Sequence, residues 1–238
     1  MKIVFLDLET TGLAPESNYI LTGSFSLCNY ETLEEEDALE IGIKPQFARS
    51  VWDNRMRSAE NIHRLSYDDC LQFSPTEEAA PKIFEFLARA DIICSHAKFY
   101  SFGKSYYFDH AFLKEFYRCQ EKDWPNLGEE STHTWAVYLA QHNIIDNNSS
   151  FDLASLSDYF SIKLEDHHNA QSDRRALQAI YKHLREAAKF TTFKRYSFRS
   201  DNDTRNRIRS NGKGLRLLST KKKCPIYSGI QPDFFGTP

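Results

Sequence analysis

Four acidic residues and one histidine stand along the chain at spacings that can support chemistry. They are Asp7, Glu9, Asp109, His168 and Asp173. Three of the acids occupy positions that the surrounding apolar pattern assigns to a buried face, where an unpaired charge is costly. Carboxylate oxygens are the ligands of hard divalent cations, and two such ions around a phosphodiester would balance the charge. The set therefore indicates metal-assisted chemistry on a phosphodiester.

The first two acids end a short apolar segment. Residues 2–9 predict a strand, because Ile-Val-Phe-Leu is a β-branched and aromatic run. Residues two apart share a strand face, so Asp7 and Glu9 project together. Each then raises the pKa of the other unless a cation neutralises the pair. A strand that runs out into a solvated acidic turn would give the same pattern.

The other two acids begin helical patterns. In residues 108–119 the apolar residues recur with helical period, and Asp109 lies on or beside that stripe. An aspartate in a first helical turn also interacts favourably with the helix dipole. Asp173 repeats the pattern in a helix expected over residues 170–188, four residues before Leu177. Because acids recur at core positions, we favour the interpretation that they bind a common ligand over the interpretation that each one only caps its own helix.

Three ordered motifs resemble those of the DEDDh 3′–5′ exonucleases of the RNase H-like fold, a family that includes RNase T and the proofreading epsilon subunit of DNA polymerase III. They are FLDLETTGL at residues 5–13, SHA at 95–97 with FDHAFL at 108–113, and HNAQSD at 168–173. A histidine five residues before Asp173 is typical of the histidine branch, because the tyrosine branch has a tyrosine where this chain has Asn169. The resemblance covers residues 1–188.

The resemblance implies a set of catalytic residues and a cofactor. The catalytic residues would be Asp7, Glu9, Asp109, His168 and Asp173. The four acids would hold two ions of Mg²⁺ or Mn²⁺, one between Asp7, Glu9 and Asp173 and a second bridged by Asp7 and anchored by Asp109. The residues implied to bind the terminal nucleotide are Thr10, Thr11, Leu13 and His96.

His168 is the implied general base towards the attacking water, since an unperturbed histidine has a pKa of about 6.5. The implied activity is metal-dependent release of nucleoside 5′-monophosphates from the 3′ end of single-stranded nucleic acid, with DNA expected over RNA, as in proofreading or repair. Trimming of RNA or oligoribonucleotides uses the same residues, since no motif senses a 2′-hydroxyl. A non-catalytic nucleic-acid or polymerase-binding module is a further alternative, which the retention of all five residues disfavours.

Two features depart from the family pattern. Residues 98–107 form an insertion with five aromatic residues and two lysines between His96 and Asp109. This insertion could stack bases and contact phosphate, or pack its aromatics as a surface Ω-loop. His133-Thr134 stands where relatives commonly carry Asp-Thr.

The order of elements predicts an α/β domain over residues 1–188. We expect an RNase H-like mixed sheet, with three antiparallel strands first and then parallel strands, flanked by helices. The strands are expected at 2–9, 19–28, 38–44 and 91–94. The helices are expected at 59–64, 76–90, 108–119, 133–142, 153–160 and 170–188, with Pro81 shortening or bending the second.

Residues 189–238 form a basic C-terminal extension. From residue 189 to 223 there are 12 Lys and Arg against 2 acids, although the chain carries a net charge of −3. The extension could bind a nucleic-acid strand, dock on the acidic body, or meet a polymerase or another protein. No stretch approaches the ~20 apolar residues of a membrane span, and five scattered cysteines without a CxxC pair indicate reduced thiols. We expect a cytoplasmic protein that does not bind membranes.

Overall fold

The computed structural model describes residues 1–101, 104–146, 150–164 and 168–189. Its strands, in chain order, are β1 Lys2–Thr10, β2 Ile20–Asn29, β3 Glu35–Gly42, β4 Ile92–Ser95, β5 Lys98–Ser101, β6 Lys104–Tyr107 and β7 Gly128–Ser131. Five of them form the main sheet in the order β3-β2-β1-β4-β7, and β5 pairs with β6 as a separate hairpin.

Eight helices are described. They are α1 Arg49–Arg55, α2 Arg57–His63, α3 Tyr67–Cys70, α4 Thr76–Leu87, α5 Phe108–Cys119, α6 Thr132–Gln141, α7 Leu153–Tyr159 and α8 Ala170–Ala188. The bounds of α5 and α8 are those that the apolar periodicity predicts.

The sheet is mixed, as the sequence predicts. β1 pairs antiparallel with β2 and parallel with β4. β2 pairs antiparallel with β3, and β4 pairs parallel with β7. The central position of β1 explains its apolar composition, because Ile3 to Leu6 are wholly buried and helices cover both faces.

Alternate residues of β1 enter two different cores. Val4, Leu6 and Leu8 pack in a core formed with α4 and α5. Ile3 and Phe5 pack in the core formed with α6, α7 and α8. Because Asp7 and Glu9 continue the second set, their side chains lie on the face that α8 covers.

Several boundaries differ from the expected ones. The helix expected at 59–64 corresponds to α2, which begins at Arg57 and ends at His63, and α1 precedes it because Trp52 enters a small separate core. Pro81 lies inside α4, which continues to Leu87, so the helix does not end at the proline. The insertion is a β-hairpin at residues 98–101 and 104–107, which replaces the alternative of an Ω-loop.

The basic extension from residue 190 onward lies outside the described residues. Within the described ranges, no helix combines the length and the hydropathy that crossing a bilayer requires. Cys28, Cys70 and Cys94 are free and buried.

Candidate active site

Asp7 and Glu9 lie on the last part of β1, beyond its buried apolar half. The pairing with β2 places Ser24 opposite Asp7 and Thr22 opposite Glu9. Both acids are half-buried. The wholly buried residues that precede them anchor the strand, so the two carboxylates are held at a fixed position on the α8 face.

Asp173 meets this pair from the first turn of α8. The helix begins where the Asn169 side chain accepts two backbone N–H groups of that turn, at 3.1 and 3.2 Å. Asp173 is 5% exposed. Carboxylate oxygens of Asp7, Glu9 and Asp173 all lie within 4.8 Å of one another. Residues distant in sequence therefore form one carboxylate cluster.

Asp109 reaches the same cavity from the first turn of α5. It is 3% exposed, as its place beside the apolar stripe predicts. Burial raises the pKa of Asp109 to about 7, and it outweighs the hydrogen bonds that favour the charged form. Its carboxylate in turn raises the pKa of Asp7 and of Glu9.

The carboxylates of the cluster resist ionisation together. The pKa of Asp7 is raised by burial first and then by Asp109, Glu9 and Asp173. Burial, followed by Asp173 and Asp109, raises the pKa of Glu9 to about 8. A divalent cation would reverse this, because an opposite charge favours the ionised form. The donor set of carboxylate oxygens fits Mg²⁺ or Mn²⁺.

His168 lies at the edge of the cavity, one residue before the cap of α8. Its backbone has φ 68°, in the left-handed region, which histidine tolerates better than most residues. Its backbone N–H donates to the Asp173 carboxylate at 3.1 Å. The side chain is exposed and lines the cavity with the four acids. This place at the edge of the cavity is compatible with the predicted role of His168 as a general base.

The turn after β1 forms another part of the wall. Thr10, Gly12 and Leu13 line the cavity, and Leu13 is 64% exposed. A Cβ on Gly12 would lie 2.5 Å from the Asn18 amide oxygen, so a larger residue here would displace the Asn18 side chain, which donates to the Ala14 carbonyl. Thr11 does not line this cavity: it is 2% exposed, and its hydroxyl accepts the backbone N–H of Tyr19 within the loop.

His96 closes the cavity on the side of β4. It is buried, and its Nδ1 lies 2.8 Å from the Thr132 hydroxyl. Burial, followed by the neighbouring His133, lowers the pKa of His96 to about 4. At neutral pH it is therefore an uncharged wall residue. The unusual His133 lies beside it, with ring centroids 6.2 Å apart.

Some wall residues carry no clear signal in the sequence, Ile62 and His63 among them. Ile62 and His63, at the end of α2, line the cavity, which has a volume of about 290 Å³. His63 Nδ1 accepts the backbone N–H of Leu65 at 3.0 Å, so the neutral ring carries its proton on Nε2. That Nε2 is buried and has no hydrogen-bond partner among the described residues. The sequence signal was weak, since a lone histidine in a helix is common.

Known proteins match this chain in sequence and in fold. The model of the RNase T family, described as exonuclease, matches residues 4–181. The chain belongs to this exonuclease family. Together with the fold and the ordered motifs, the match identifies a DEDDh-type exonuclease of the RNase H-like superfamily.

One matching relative is the DNA polymerase III PolC-type protein of Caldanaerobacter subterraneus subsp. tengcongensis, 24% identical over 182 residues. The alignment covers 76% of this chain and 11% of that protein, so the chain spans about a tenth of its length. This family member therefore corresponds to one part of a much larger relative.

Solved structures of exonuclease I share the fold. Escherichia coli exonuclease I in complex with a dT13 oligonucleotide matches with a TM-score of 0.64 and 16% identity, over 79% of this chain and 42% of that one. The zinc-bound form of the E. coli exonuclease I complex with single-stranded DNA matches with a TM-score of 0.64 and 16% identity, over 79% and 41%. The chain spans less than half the length of either structure.

Proposed function

We propose that this protein is a metal-dependent 3′–5′ exonuclease that removes nucleoside 5′-monophosphates from single-stranded nucleic acid, with DNA as the preferred substrate. The observation that carries the proposal is the convergence of Asp7, Glu9, Asp109 and Asp173 in one cavity, with His168 at its edge. Mutually repelling carboxylates lower the stability of a fold, so a binding module has no reason to hold them together.

Asp7, Glu9 and Asp173 are the proposed ligands of one Mg²⁺ or Mn²⁺ ion, and Asp7 with Asp109 those of a second. When bound, such ions supply Lewis acidity that activates water and stabilises the charge of the departing oxygen. The carboxylates supply the charge that holds them. The raised pKa values of Glu9 and Asp109 imply that metal binding releases protons.

His168 is the proposed general base. In the proposed step a water oxygen attacks the terminal phosphorus, and an imidazole nitrogen of His168 takes the proton of that water. The bond from phosphorus to the 3′-oxygen of the preceding nucleotide breaks, and that oxygen takes a proton from solvent water to become the 3′-hydroxyl. The 5′-phosphate leaves with the released nucleotide.

The wall residues bind the end of the strand in this proposal. Leu13 offers exposed apolar surface to the terminal base or sugar, and Thr10 with Thr11 orders the turn that presents it. His96, neutral and buried, shapes the opposite wall. The volume of about 290 Å³ is that of a small ligand site, which suits one nucleotide.

The preference for single-stranded DNA draws support from the relatives. The exonuclease I structures contain single-stranded DNA oligonucleotides, and one contains zinc. The PolC-type relative is a DNA polymerase. We propose residues 1–188 as the catalytic domain, and residues 189–238 as a basic extension that binds the strand or a polymerase.

The test uses 5′-labelled single-stranded DNA and RNA oligonucleotides of the same sequence, with Mg²⁺, with Mn²⁺ or with EDTA. We expect a ladder that shortens from the 3′ end, faster on DNA, and absent with EDTA. Asp7→Asn keeps the size of the side chain and removes its charge, so it should abolish the ladder while the chain stays folded. Shortening that persists in EDTA or in Asp7→Asn would contradict the proposal, and faster RNA shortening would reassign the substrate.

A further inference from the structure

We propose that Arg174 is a positioning residue for the carboxylate cluster. Its side chain fixes the rotation of α8 over the sheet and so holds the Asp173 carboxylate against Asp7 and Glu9. The inference rests on the proposed function, which assigns these carboxylates to a metal ion.

Arg174 is a buried arginine, 2% exposed, one residue after Asp173. Its Nε donates to the Ser24 hydroxyl at 2.7 Å, and its Nη1 donates to the Glu35 carboxylate at 3.0 Å. Its Nη2 lies 3.7 Å from the Glu40 carboxylate. A guanidinium this deeply buried is stable only when such partners satisfy its donors.

The partners of Arg174 are themselves fixed to the sheet. The Ser24 hydroxyl donates to Glu40 at 2.6 Å, and the Ser26 hydroxyl donates to Glu35 at 2.6 Å. These bonds tie β2 to β3 beneath the helix. The guanidinium therefore docks into a closed polar network that spans two strands, and α8 cannot turn about its axis without breaking that network.

The strand register connects this network to the cluster. Ser24 is the register partner of Asp7 in the pairing of β1 with β2. Consecutive residues of α8 therefore meet neighbouring strands at one level: Asp173 meets Asp7 on β1, and Arg174 meets Ser24 on β2. Successive side chains on a helix point about 100° apart, so the bond to Ser24 determines where the Asp173 carboxylate lies.

The geometry assigns the role to the shape of the guanidinium and not to its charge. The positive charge of Arg174 is paired with the carboxylates of Glu35 and Glu40. The pKa values of Asp7 and Glu9 stay raised, because burial and the neighbouring carboxylates disfavour their ionised forms. Lysine keeps the charge but lacks the planar fork with fixed donors. Arg174→Lys therefore separates the two effects.

The test measures Mn²⁺ binding to the full chain by calorimetry without nucleic acid, together with Tm. We expect Arg174→Lys to weaken Mn²⁺ binding about 10- to 100-fold, the usual cost of losing a group that orients a metal ligand. Ser24→Ala removes one hydroxyl from the same network and should weaken binding in the same direction, by a smaller factor.

Arg185, near the other end of α8, provides the matched control. It donates to the Tyr30 carbonyl and pairs with Glu31 at 3.2 Å, far along the helix from Asp173. Arg185→Lys should lower Tm and leave the Mn²⁺ affinity unchanged. Equal weakening by Arg185→Lys would overturn the inference, because it would show general loosening of the helix.

Two further outcomes separate this inference from the proposed function. Wild-type Mn²⁺ affinity in Arg174→Lys would overturn the positioning role alone. If that variant does not fold, unchanged affinity in Ser24→Ala has the same force. Failure of the wild-type chain to bind Mn²⁺ would overturn the proposed function and the inference with it.

Discussion

Among single residues, His168 is the one whose substitution tests the proposed chemistry most directly. Its backbone φ is 68°, so alanine there would add strain, whereas asparagine tolerates this conformation. His168→Asn keeps the backbone N–H that donates to Asp173 and removes the base. We expect kcat to fall by about 10²- to 10⁴-fold, the usual contribution of a general base.

The control for this substitution is Mn²⁺ binding and Tm, which His168→Asn should leave near the wild-type values, because the Asp173 contact comes from the backbone. A kcat within about threefold of the wild type would show that His168 is only a neighbour of the cluster, since a general base contributes far more than that. Loss of Mn²⁺ binding would instead make His168 part of the metal site.

A substitution of Leu13 tests whether this part of the cavity wall binds the substrate. It is a large apolar side chain, 64% exposed, at the edge of the cavity. Leu13→Ala should raise KM roughly tenfold, because the shorter side chain buries less apolar surface against the substrate, at a cost of about 1–2 kcal/mol. Tm should stay unchanged because the side chain is exposed. Tyr159→Ala, at an exposed aromatic outside the cavity wall, should change neither KM nor kcat. Unchanged KM in Leu13→Ala would remove Leu13 from the binding site.

At the scale of elements, the hairpin of β5 and β6 stands next to the cavity. Phe108 N–H donates to the Ala97 carbonyl at 3.2 Å across its base, and both residues line the cavity. Replacing residues 99–106 by Asn-Gly keeps the register pair of Lys98 and Tyr107 and supplies a favoured two-residue turn. The shortened chain should fold with little change in Tm.

If the hairpin holds the strand before the scissile phosphate, KM for long single strands should rise about tenfold, since base stacking contributes ~1–3 kcal/mol. Hydrolysis of a dinucleotide, which is too short to reach the hairpin, is the internal control and should not change. If the shortened chain and the wild type have the same kinetics on long strands, the hairpin does not bind the substrate.

The elements that sequence predicts well are those with strong apolar periodicity. α5 and α8 begin and end where their stripes do, and β1 is a continuous apolar run because helices bury both of its faces. β7 was missed because Gly128 to Ser131 is polar and lies at the edge of the sheet. α1 was missed because its burial comes from a small separate core and not from a repeated stripe.

The residues of the site differ in the same way. The four acids at residues 7, 9, 109 and 173 were predictable because a charge at a core position violates the local pattern. Ile62 and His63 were not, since an isoleucine and a histidine in a short helix violate nothing. Arg174 was hidden for a different reason: its partners Ser24 and Glu35 lie 150 and 139 residues away in the sequence.

At the scale of the whole molecule, the carboxylate cluster makes stability depend on pH and metal. In the metal-free chain Glu9 has a pKa raised from 4.5 to about 8, and Asp109 from 3.8 to about 7. A raised folded pKa means that the folded state binds more protons than the unfolded state within that window. The free energy of unfolding therefore falls as pH rises towards 8.

Other buried groups oppose this trend at lower pH. Burial lowers the pKa of His63 and of His96 from 6.5 to about 4. Between about 4 and 6.5 the unfolded state takes up protons at these histidines, so their contribution to stability rises with pH. The effect of the carboxylates is therefore isolated above about pH 6.5 and below about pH 9, where buried cysteines such as Cys70 begin to matter.

We expect Tm in EDTA to fall between about pH 6.5 and 8.5, and Mn²⁺ to raise Tm by an amount that grows over the same range, because the ion binds the ionised cluster. Asp7→Asn removes one of the repelling charges, so it should raise the metal-free Tm at the upper end and abolish most of the Mn²⁺ effect. A metal-free Tm that rises steadily with pH would mean that repulsion among the ionised carboxylates does not destabilise the fold. A Mn²⁺ effect as large in Asp7→Asn as in the wild type would mean that the ion does not stabilise the fold by binding this cluster.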